Sequence, residues 1–117
     1  MTLRKSLLAL LLALPMPLLA EIITVVEAVE TAAANLNVPP GPNGRLSFRA
    51  CGANCDEDLT VVRLTPATTY TVRGQALDFK DFRKEFYNLR PGNSAYALVT
   101  YDTERDTVVS VLIDEQG

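Results

Sequence analysis

Residues 69–90, TYTVRGQALDFKDFRKEFYNLR, change period half-way along and so decide the fold class. Tyr70 and Val72 alternate with Thr69, Thr71 and Arg73, the two-residue period of a strand, which Gly74-Gln75 closes. Beyond Asp78 the apolar residues Phe79, Phe82, Phe86 and Leu89 are spaced three, four and three, the period of one helical face. Asp78 is placed to cap that helix by accepting from its free N–H groups, and Asp81 adds negative charge to the first turn. Arg90-Pro91-Gly92-Asn93 ends it. Aromatic rings at helical spacing usually supply burial, so this stripe is expected to be core, not a ligand box.

Strand patterns lie on both sides of this junction. Upstream, Leu46, Phe48 and Ala50 alternate with Ser47 and Arg49, and Leu59 to Leu64 forms a short apolar run; Thr65-Pro66-Ala67-Thr68 turns the chain into the next strand. Downstream, residues 95–101 and 107–113 read as a hairpin whose polar loop is Asp102-Thr103-Glu104-Arg105-Asp106. The order is strand, strand, strand, helix, strand, strand. Ahead of it, Ile22, Val25, Val26, Val29, Ala33 and Leu36 fall at spacings of three and four, which predicts a helix from Ile22 to Leu36. The β-branched run from Ile22 to Val26 leaves a strand there as the alternative. Pro39-Pro40-Gly41-Pro42-Asn43-Gly44 forbids regular structure. The chain thus divides into an N-terminal helix (21–38), a Pro/Gly linker (39–44) and a mainly β domain with one helix (45–117).

The run from Leu64 to Tyr70, then Leu89-Arg90-Pro91-Gly92, then Tyr96 to Val109, resembles small exported bacterial domains of the OB-fold type. The resemblance spans residues 45–114 and rests on the pattern of elements. It implies a five-stranded, partly open barrel (βββαββ) with the helix between strands three and four. The N-terminal helix is not part of that layout, and the alternative is a curved antiparallel sheet with one helix packed across it.

Met1 to Ala20 reads as an export signal. Arg4 and Lys5 precede an apolar run from Ser6 to Leu14, Pro15 and Pro17 break it, and Ala20 offers a small residue at the cut. The run is shorter than the roughly 20 residues a spanning helix needs, so no membrane span is expected after cleavage. If Ala20 is not cut, the β-branched run after Glu21 leaves a signal anchor as the alternative. Asn35, Asn54 and Asn93 all lack the N-glycosylation pattern, and a bacterial periplasm or the secreted medium is the expected location.

The whole chain carries 11 basic and 14 acidic residues; without Arg4 and Lys5 the balance is 9 against 14, a formal charge of −5. General nucleic-acid binding draws on phosphate neutralisation by Lys and Arg, so this balance argues against it. The chain contains no histidine. That removes Ser-His-Asp and Cys-His catalysis and His-ligated metals, and with them the commonest general acid–base group. Asp78, Asp81 and Glu85 sit among Lys80, Arg83 and Lys84 at ordinary surface spacings, and Ser94 has no visible base. A non-catalytic protein without a cofactor is expected.

Cys51 and Cys55 are the only cysteines. In an exported chain so close a pair is most simply a disulfide, whose small ring stabilises by about 2 kcal/mol. The alternatives are redox chemistry, opposed by the carboxylates of Asp56-Glu57-Asp58, and Cu(I) held by the two thiolates, for which exported copper carriers also recruit a histidine. The acidic triplet lacks the spaced ligands of a calcium loop. Strand parity places Arg49, Arg63 and Arg73 on an outer surface with Thr69 and Thr71 beside them. This is the candidate binding face, suited to an anionic or polar envelope protein or glycan.

Overall fold

The computed structural model describes residues 25–50, 58–91 and 94–115. They form one mixed sheet of eight strands and one α-helix. The strands are β1 (Val26–Ala32), β2 (Leu36–Asn37), β3 (Arg45–Phe48), β4 (Thr60–Arg63), β5 (Thr69–Val72), β6 (Gln75–Leu77), β7 (Ala95–Asp102) and β8 (Thr107–Glu115). The helix α1 spans Phe79–Leu89 between β6 and β7. Among the described residues no helix is long and apolar enough to cross a membrane.

β8 organises the sheet. One of its edges pairs antiparallel with the whole of β7, through a bulge between Thr100 and Tyr101. Its other edge is shared by two parallel partners, β4 at Arg63 beside Thr107 and β5 from Thr69 beside Ser110 to Val72 beside Ile113. β7 continues to β1, and β4 to β3 and β2, giving the order β1-β7-β8-β4-β3-β2 with β6 paired to β5. The path is open, with β1 and β2 at its ends, joined through a 3-10 turn at Ala33–Asn35.

The five-strand count is therefore corrected to eight, and the ladders describe an open mixed sheet where a barrel was expected. The N-terminal helix is also corrected. Val26–Ala32 is a strand, paired residue for residue with β7 from Val26 beside Asp102 to Ala32 beside Tyr96. A short isolated helix would gain only local bonds, whereas as a strand the segment exchanges hydrogen bonds with β7 along its whole length, and Thr31 and Ala33 are buried. Gly74 does not close β5 against a loop. Arg73 (φ 52°) and Gly74 (φ 80°) form a two-residue turn with both φ values positive, the type I′ geometry that returns the chain as β6.

The helix stands as its sequence predicts. The Asp78 carboxylate accepts from the Asp81 N–H at 2.8 Å, and Phe82 and Phe86 are fully buried. Tyr70 of β5 meets Phe82 at 4.7 Å between ring centroids and Phe79 edge-on at 5.6 Å. The remaining core comes from Leu36, Leu46, Phe48, Val62, Leu64, Val99, Val111 and Ile113. The other side of α1 is tied to residues 34–39. Tyr87 Oη donates to the Val38 carbonyl at 2.9 Å, Arg83 Nε to Pro39 O at 3.0 Å and Arg90 to Ala34 O at 3.1 Å. Gly44 abuts Pro39 so closely that an added Cβ would lie 2.6 Å from the proline Cβ. Its carbonyl accepts from the Leu64 N–H at 2.9 Å, which aligns β3 beside β4.

Candidate functional site: an arginine face

Alternation sends Leu46 and Phe48 of β3, and Val62 and Leu64 along β4, into the core. Arg45, Val61 and Arg63 consequently stand exposed on the outer face, as does Arg49 just past β3. The antiparallel register places Arg45 directly opposite Arg63 and Ser47 opposite Val61. Side chains directly opposed in this way have Cβ atoms about 5 Å apart, and like charges there repel.

A third arginine arrives from the β7–β8 turn. The Asp102 carboxylate accepts from the Glu104 and Arg105 N–H groups at 2.9 and 3.0 Å, which folds the turn, and Asp106 takes a positive φ of 53°. The Arg63 N–H donates to the Asp106 carbonyl at 2.8 Å, fastening the turn beside β4. Arg45, Val61, Val62, Arg63, Arg105 and Asp106 together line a shallow depression of about 370 Å³. Three arginines and a single acidic residue, Asp106, thus line it. Among the described residues the only salt bridge is elsewhere, between Arg73 and Glu115.

The predicted residues are all on the surface, but they do not form one patch. Arg73 pairs with Glu115 at 2.9 Å, and its N–H donates to Ile113 O; that is six residues along β8 from Thr107, the partner of Arg63, or about 20 Å. Thr69 is exposed beside Ser110, about 10 Å along β8 from Thr107, and Thr71 is half-buried beside Leu112, farther along. Arg49 lies four residues beyond Arg45, about 13 Å along the strand direction, and its carbonyl accepts from the Thr31 hydroxyl. Only Arg63 of the predicted set belongs to the cluster. Arg45 shares the parity of Arg49 and was legible from the sequence on that ground. Arg105 was not, because only the parallel β4–β8 pairing carries its turn to Arg63. Cys51 and Cys55 lie outside the described residues.

Two tyrosines near these elements have perturbed hydroxyls. Burial pushes Tyr70 above its usual value of 10.0. Its hydroxyl has no hydrogen-bond partner among the described residues, and the nearby Thr68 hydroxyl, which donates to Val108 O at 2.7 Å, tempers the rise. Tyr101 is raised too, by burial first, then by donating to Glu27 Oε2 at 3.1 Å and by the charges of Glu27 and Asp106. A larger groove of about 940 Å³ lies between Pro40, Pro42 and the start of α1. Its Lys80, Arg83 and Lys84 face Asp78 and Asp81 in the same wall, so its charge is nearly balanced. No protein-family model, curated protein or solved structure matches the chain.

Proposed function

We propose that this protein is a small, exported, non-catalytic binding module that holds an anionic group of its partner with Arg45, Arg63 and Arg105. One observation carries the proposal: two arginines face each other across adjacent strands, a third joins them from a neighbouring turn, and Asp106 is the single acidic residue among those lining the same depression. Such a cluster is costly in the free protein and is relieved by a bound anion, which accepts charge-assisted hydrogen bonds from several guanidinium groups at once. An acidic chain concentrates attraction there, since the charge elsewhere repels anions and the cluster does not. Export rests on the leader-like residues 1–20.

Calorimetric titration with pyrophosphate at about 20 mM salt, where screening is weak, tests the site. Replacing Arg45, Arg63 and Arg105 together by Gln is expected to weaken binding at least tenfold, about 1.4 kcal/mol. Arg73→Gln, which removes only the distant exposed ion pair, is expected to stay within about twofold of the parent protein. Equal binding by the triple variant overturns the proposal.

A further inference from the structure

Resting on that anion-binding role, we infer that the partner is an acidic protein segment that also carries apolar side chains and docks in extended form over β3 and β4. Four large hydrophobic residues are exposed among those described, and two of them, Leu59 and Val61, each 46% exposed, adjoin the arginines. Leu59, Val61 and Arg63 recur at every second position, so they line one outer face of β4 and its approach, with Ser47 beside Val61 and Arg45 beside Arg63. An inorganic or sugar polyanion leaves those two side chains in water. Sugar rings and unpaired bases are held by aromatic platforms, and none of the six residues lining this depression is aromatic.

An extended peptide matches both features. Its same-face side chains repeat about every 6.6 Å, as do those of β4, so an acidic residue over the Arg63–Arg45 pair brings apolar ones over Val61 and Leu59. The charge term sets orientation and attraction, and the apolar contacts separate this partner from other anions.

Two octapeptides test this, both acetylated and amidated with Ser at alternate positions. The first has Glu, Glu, Val and Leu at the remaining positions; the control has Glu, Glu, Ser and Ser. The protein is expected to bind the apolar-bearing peptide at least fivefold more tightly than the control. Leu59→Ser, which lies outside the depression, should reduce that preference to within about twofold while leaving pyrophosphate binding unchanged, and the site is exposed enough for the fold to persist. The triple arginine variant should lose both peptides. Equal affinity for the two peptides, or binding of pyrophosphate with neither peptide, overturns this inference and leaves the anion site standing. Loss of pyrophosphate binding in the triple variant with both peptides still held also overturns it, since the peptides then bind elsewhere. Failure to bind pyrophosphate at all overturns both. Tighter binding to phosphatidylglycerol vesicles that Leu59→Ser abolishes, or self-association abolished by that change, assigns the face to a membrane or a second copy and overturns the peptide.

Discussion

The Tyr70 hydroxyl is the most exposed weakness at the scale of single residues, because it is buried with no partner to repay its lost water. The ring itself is indispensable, wedged between Phe79 and Phe82. Tyr70→Phe keeps the ring and removes the unpaired group, so the variant is expected to match or exceed the parent in stability, by up to about 1 kcal/mol in urea unfolding at neutral pH. The same substitution changes the alkaline limb. The native state holds the Tyr70 proton above pH 10.0, where the unfolded chain has begun to release it. That contribution is whole below pH 10 and drains away as pH rises through the native value. The variant should therefore lose less stability than the parent across that window. Arg45 and Arg105 carry the residue-scale lesson about function. The first was readable from strand parity; the second depended on a turn 42 residues downstream of Arg63 in the chain, which no local pattern connects to β4.

Among the elements, α1 is the one whose whole definition is local: an N-capping aspartate, a stripe at three- and four-residue spacing and a Pro-Gly stop. The β5–β6 hairpin is also local in cause, yet its turn is easily misread, since Gly74 looks like the end of a strand and is the second residue of a two-residue turn. Gly74 sits at φ 80° in open space, so a methyl group meets no atom there and only the backbone resists it. Gly74→Ala should therefore cost about 1 kcal/mol, seen as a fall of about 4–8 °C in melting temperature. β1 shows the opposite case. Its apolar residues satisfy a helical wheel, but β7 offers a full-length partner, and the long-range ladder outweighs the local periodicity.

For the whole molecule the decisive fact is that β8 touches three other strands, one antiparallel and two parallel. Its residues Val111 and Ile113 are fully buried, and β7 on one side and β5 on the other must separate before its amides are freed. Native-state hydrogen exchange is expected to be slowest in residues 110–113 and markedly faster in β6 and β2, which are short and lie at the margins of the sheet. Comparable rates in β8 and β6 would contradict this placement. The same centrality makes the arginine face a product of the complete fold, since β3, β4 and the β7–β8 turn meet only after β8 has docked.

Local spacing is enough for the helix, for most of the strands around it, for the turn at 102–106 and for the outward parity of Arg49 and Arg73. Each depends on spacing within a few residues, where backbone geometry alone dictates which side chains share a face. Long-range pairing alone makes residues 26–32 a strand, turns Arg63 outward and puts it with Arg45 and Arg105, apart from Arg73 and Arg49. Those outcomes depend on which distant strands exchange hydrogen bonds and in what register, and such pairings are selected by the burial and backbone satisfaction of the whole sheet.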